Sequence, residues 1–190
     1  MKKITFLATL MALSISSAMA ADGLNFGRID YSFRDYDGSK HNQNGINLAV
    51  GREIQPGFVV DGRSEFQVQN GTQNTTTRLE GGASVVVPLY SDFTGYVRGA
   101  VGERFTSGNS YSYYSIEPGI LVALDKNWGL STSYRYRDAF SDGQVAAKSQ
   151  QLHVGASYAL TPTSSLVAGI GRNWGDRQYT ELTVGYGFKF

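Results

Sequence analysis

The residues of this 190-residue chain that could do chemistry are mostly arginines and acids, spaced by two. "RID" holds Arg28 and Asp30, "DGRSE" holds Asp61, Arg63 and Glu65, "RLE" holds Arg78 and Glu80, and "YRYR" holds Arg135 and Arg137. Arg34, Arg98, Arg104, Glu117, Glu181 and Lys189 fall in similar settings. A guanidinium is a planar, permanently charged fork that matches carboxylates and phosphates. Such a set can fill an interior with ion pairs, or it can line a path for anions. Catalysis is poorly served. The chain has two histidines and no cysteine. His41 sits in a polar loop. His153 shares a face with Gly155 and Ser157, but four residues along a strand is about 13 Å, too far for a hydrogen-bonded pair. No metal-ligand cluster is visible, and "GIGRNWG" lacks the strand–turn–helix setting of a phosphate loop. We therefore expect no enzyme, no cofactor and no metal.

The elements that must position these charges follow from a period of two. The last ten residues, "ELTVGYGFKF", put Leu182, Val184, Tyr186, Phe188 and Phe190 on one face. Nine further segments alternate in the same way, around Tyr31, Leu48, Ser64, Ala83, Val97, Ile116, Thr132, Val154 and Ala168. Short Pro, Gly, Asp and Ser turns ("QPG", "PLYSD", "LDKN", "TPTS") alternate with longer polar loops. The expected fold class is all-β, a transmembrane antiparallel up-and-down β-barrel of ten strands, with eight or twelve as alternatives. Pro118 lies inside a strand and should leave a bulge or a missing hydrogen bond.

The opposite phase would face the lumen. It holds nine basic residues (Arg28, Arg34, Arg63, Arg78, Arg98, Arg104, Arg135, Arg137, Lys189) against six acids (Asp30, Asp61, Glu65, Glu80, Glu117, Glu181). Hairpin symmetry sets Arg63 opposite Glu80, Glu65 opposite Arg78 and Arg98 opposite Glu117, as ion pairs. The same symmetry sets Arg135 and Arg137 opposite His153 and Gln151, without an acid. Arg28 and Arg104 also lack an acidic neighbour in their own hairpins. Arg28, Arg104, Arg135, Arg137 and His153 are thus the candidate anion path. Two aromatic belts should mark the lipid interfaces, Phe58, Tyr90, Phe93, Trp128, Tyr158, Phe188 and Phe190 near the turns. Phe33, Tyr36, Phe66, Phe105, Tyr111, Tyr113, Tyr136, Trp174 and Tyr179 would form the belt near the loops.

Residues 1–20, with Lys2, Lys3, an apolar run and Ala18-Met19-Ala20, read as a cleavable signal peptide, leaving 21–190 as one barrel domain. Without the two leader lysines, 15 of the 17 basic residues remain against 16 acids, not a nucleic-acid binder's balance.

The tail "VGYGFKF", with Tyr186, Phe188 and terminal Phe190, resembles the C-terminal signature of small Gram-negative outer-membrane β-barrel proteins. An arginine-lined lumen in so short a chain resembles, more loosely, the acidic-oligosaccharide porins, which have twelve strands. The resemblance implies residence in the cell outer membrane, contact with its lipid and lipopolysaccharide, and a last strand read by the barrel assembly machinery. The reading is a narrow channel favouring small anionic solutes. The alternatives are a closed structural or adhesive barrel with a salt-bridged interior and, third, a barrel hydrolase.

Overall fold

A computed structural model describes residues 25–38, 42–72, 74–141 and 148–190. The leader, His41 and half of the "DAFSDGQVAAKS" stretch (142–147) lie outside the described residues. Ten strands run in order: β1 Phe26–Tyr36, β2 Gln43–Gln55, β3 Phe58–Gln69, β4 Thr75–Tyr90, β5 Phe93–Thr106, β6 Asn109–Ala123, β7 Trp128–Ala139, β8 Ser149–Thr161, β9 Ser164–Gly175 and β10 Tyr179–Lys189. Each pairs antiparallel with its neighbours in sequence, and β1 pairs with β10 to close the barrel. The ten expected strands are the ten observed. Closure leaves no sheet edge, so strand backbone groups find partners without water.

The alternation sorts the side chains as the period of two requires. In β1, Arg28, Asp30, Ser32 and Arg34 are buried, while Ile29 and Tyr31 between them stay 47% and 54% exposed. Val50, Val85, Val97, Val101, Ile116 and Val154 continue this outward apolar surface around the wall. An apolar exterior around a polar interior inverts the soluble arrangement and fits a bilayer.

Both described ends lie at one rim, with the four short turns. In the turn after β6, the Asp125 carboxylate accepts from the Asn127 and Trp128 backbone N–H groups at 2.7 and 2.8 Å. Those two donors lower the Asp125 pKa from its ordinary value. Pro118 is accommodated by a gap in the ladder. β6 and β7 pair up to Ile116↔Tyr136 and resume at Gly119↔Ser133 in unchanged register, so Glu117 and Pro118 make no ladder pair with β7.

The aromatic belts need one correction. Outward rings do cluster at the turn rim, with Trp128 on Tyr158 at 5.0 Å and Tyr90 on Phe93 at 6.4 Å. At the loop rim, Phe66, Phe105 and Trp174 face outward. Tyr111, Tyr113 and Tyr179, however, are buried at 7%, 0% and 5% exposure, and Tyr36 packs on Tyr179 at 5.0 Å. These four share the phase of Glu117, Glu181 and Arg34 on their own strands, and phase, not depth, decides which way a strand residue points.

Candidate functional site

The inward faces enclose a cavity of about 150 Å³, large enough for on the order of ten water molecules. At its turn-side end it is apolar: Val59 packs with Phe26 and Val86, and Leu121 joins them on the lining. Above lies a polar midsection lined by six arginines (28, 34, 63, 78, 135, 137) and six acids (30, 61, 65, 80, 117, 181). Those lining charges balance, and Arg98, buried behind them on Asp61 and Glu80, adds one more positive charge.

The register places the expected pairs face to face: Arg63↔Glu80, Glu65↔Arg78 and Arg98↔Glu117. Only Glu65 and Arg78 then bond to each other. Arg63 instead reaches Glu117 at 3.0 Å and Asp61 at 3.4 Å. Arg98 takes Asp61 at 2.6 Å, together with Glu80. Strand-to-strand symmetry fixes which Cα atoms are opposed, but the long arginine stem inside a curved wall chooses among several carboxylates. The exchange leaves every one of these acids partnered.

The candidate anion path also divides. Arg28 is not free of acids: its Nε donates to Asp30 at 2.6 Å, a partner two residues away on the same face. Arg135 and Arg137 stand opposite Gln151 and Ser149, not His153 and Gln151, because the β7–β8 ladder is set two residues from the symmetric estimate. A shift of two keeps every side chain on its face. Arg135 donates to the neutral Gln151. Arg137 lies 3.6 Å from Glu80 and 4.8 Å from the centre of the Tyr113 ring. Arg104 donates to the Tyr111 hydroxyl at 2.8 Å. His153 faces Ser133 and Gly171, buried on the cavity wall, with no partner for Nδ1.

Arg34, which hairpin arithmetic does not single out, is the hub. It contacts Glu65 at 2.5 Å and Glu181 at 2.7 Å, and stacks over Tyr179 at 5.0 Å. Glu181 in turn accepts from Gln151 at 2.7 Å. Arg78, Glu65, Arg34, Glu181, Gln151 and Arg135 therefore form one continuous girdle through β4, β3, β1, β10, β8 and β7. The pairing of β1 with β10, which brings Arg34 opposite Glu181, exists only because the sheet closes.

Beyond the girdle, toward the loops, is a second cavity of about 20 Å³. Arg78, Arg104, Arg137, Lys148 and Arg177 line it, with Tyr36, Tyr111, Tyr179 and neutral polar groups, and no described lining residue is acidic. Arg78 and Arg137 line both cavities and form the neck between them. Arg104, Lys148 and Arg177 are the cations this vestibule adds to the midsection's count. At the other rim, Tyr186, Phe188 and Phe190 stand outward at 40%, 45% and 63% exposure.

A closed antiparallel barrel with an apolar exterior and a charged, hydrated interior defines a transmembrane β-barrel. The chain belongs to the outer membrane protein beta-barrel domain family, whose profile matches residues 5–159. β9 and β10, beyond that match, complete the closed sheet. Among solved structures, the chain is similar to an outer membrane channel from Pseudomonas putida F1, at 12% identity and a TM-score of 0.57 over 96% of this chain and 98% of that one. It is also similar to the KdgM porin in complex with disordered oligogalacturonate, at 14% identity and a TM-score of 0.50 over 86% and 99%. At such identities the likeness is one of fold. No curated protein sequence matches the chain.

Proposed function

We propose that this outer-membrane barrel is a narrow channel favouring small anionic solutes. The observation that carries the reading is the segregation of charge: an ion-paired, nearly neutral midsection beneath a vestibule that adds Arg104, Lys148 and Arg177, with no acid among its described lining residues. A confined cationic mouth raises the local concentration of anions and repels cations. Arg135, which donates to the neutral Gln151, extends the positive path below the neck. His153 lies deeper on the same wall.

A second reading is favoured by the girdle itself, which ties six strands together across the lumen. In that reading the barrel is closed, and its work is structural or adhesive. Conductance of the refolded protein in a planar bilayer separates the two. The channel gives steps with a reversal potential favouring chloride in a salt gradient, and Arg135→Glu with Arg137→Glu weakens or inverts that preference. Silence selects the closed barrel, and cation preference in the wild type removes the anion reading.

The outward row Tyr186, Phe188, Phe190 supports the reading of β10 as the strand recognised by the barrel assembly machinery. The two aromatic rims suit contact with outer-membrane lipid and lipopolysaccharide. Deleting Phe190 lowers the assembled fraction in cells without changing the fold of protein refolded in detergent.

A further inference from the structure

The vestibule is too small for a sugar chain, and its chemistry is specific. We propose that it is a binding site for a compact, multiply charged oxyanion of the phosphate type, free in solution and entering from the loop rim. This deepens the anion reading of the same vestibule but does not depend on conduction.

Three features carry it. First, five cationic side chains, of which Arg78 and Arg137 also reach Glu65 and Glu80 below, converge on about 20 Å³ with no acid among the described lining residues, which is room for one compact group and not for several sugar rings. Asp176, beside Arg177 in sequence, uses its carboxylate on the Lys148 backbone N–H at 3.0 Å. Second, the neck beneath the vestibule retains donors that the protein does not use. The Nε groups of Arg78 and Arg137 and the Tyr113 hydroxyl are buried without a hydrogen-bond partner. Tyr113 is fully buried and lines the main cavity just beneath the neck, under the Arg137 guanidinium; buried donors are normally satisfied, so three idle ones here imply an acceptor from outside. Third, the wall is shaped to keep that phenol there. A Cβ on Gly102 would lie 2.7 Å from the Tyr113 hydroxyl, so the glycine makes room for it. The loop-side cations are set as firmly. Asn173 donates to the Arg177 carbonyl at 2.6 Å, and Gly175 turns the chain at φ +114°, against Lys148.

A tetrahedral oxyanion has acceptors enough for guanidinium forks, an ammonium and a phenol at once, whereas chloride offers one sphere. The exposed Lys148 and Arg177 would draw the ion in, Arg78 and Arg137 at the neck would hold it, and Tyr113 would donate from beneath.

The test is calorimetric titration of inorganic phosphate, against chloride at matched ionic strength, into the full barrel refolded in detergent without lipopolysaccharide. Phosphate should bind more tightly than chloride. Lys148→Ala with Arg177→Ala, both exposed, should weaken phosphate by at least about tenfold, the loss of one charge-assisted contact. Tyr113→Phe, which removes only the idle hydroxyl, should weaken it severalfold with the unfolding midpoint unchanged. Equal binding of the two ions, or phosphate binding indifferent to both variants, overturns the proposal. Binding seen only with lipopolysaccharide vesicles, and not with free phosphate, also overturns it. Phosphate binding by a protein that never conducts upholds this site and removes the channel reading. Chloride-selective conductance without phosphate binding does the reverse.

Discussion

The midsection and the vestibule of this barrel use the same residue type to opposite ends. In the midsection, Arg34, Arg63 and Arg98 each meet two carboxylates. In the vestibule, Arg104 and Arg177 line a cavity with no acid among its described lining residues, and Arg78 and Arg137 mark the change between the two regions. An arginine whose charge is cancelled on both sides is a structural strut. One facing a cavity of its own sign adds to the field that a solute meets. The lesson is that composition along a strand says little until each charge is given its partner.

Removing the hub should break the midsection most severely. Arg34→Ala leaves Glu65 and Glu181 buried at one site with half their partners gone, and losing one member of such a network costs about 3–5 kcal/mol. Urea unfolding of the barrel in detergent or lipid vesicles measures this. The same variant opens the girdle, so unit conductance should rise. Lower stability with unchanged conductance would show that the girdle does not constrict the path.

Gly102→Ala tests the boundary. Its Cβ would approach the Leu79 carbonyl at 2.5 Å and the Tyr113 ring at 2.7 Å, and an overpacked site of this kind costs about 1–3 kcal/mol. The displaced Tyr113 should also weaken phosphate binding. By contrast, Lys148→Ala with Arg177→Ala should leave the unfolding midpoint within about 0.5 kcal/mol of wild type, as exposed positions usually do. A large stability loss there would make the vestibule a structural region after all.

Both rims also hold a small pH effect, outside the membrane span. The Arg172 guanidinium beside Asp37, and the two backbone N–H donors beside Asp125, each lower the carboxyl pKa. A lowered folded pKa contributes stability that is present above the ordinary value of 3.8 and is lost as pH falls through the folded one. The barrel should therefore lose a little stability below about pH 4. Asp125→Asn should remove that turn's share. Chemical shifts of the two carboxyl carbons against pH measure both.

Most of the fold was legible in the sequence, because a two-residue period in a closed sheet leaves few choices. The strand count, the alternation of turns and loops, and the opposed pair Glu65 and Arg78 all follow from it. The gap at Pro118 follows from a missing N–H. The ion-pair partners were not legible. Hairpin symmetry couples only neighbouring strands, whereas Arg98 binds Asp61 two strands away and Arg34 depends on the closing pair of β1 with β10. The inward turn of Tyr36, Tyr111, Tyr113 and Tyr179 was open to prediction from phase. Lys148 and Arg177 were not, since a loop residue carries no period to tell where it points.

The central claim is that anion preference resides in the vestibule and not in the paired midsection. The direct measurement is the reversal potential in a potassium chloride gradient, for the wild type and for Lys148→Glu with Arg177→Glu. We expect the wild type to favour chloride and the charge-reversed mouth to lose that preference at similar unit conductance. A wild type favouring potassium, or a preference unmoved by reversing the mouth, would contradict the account.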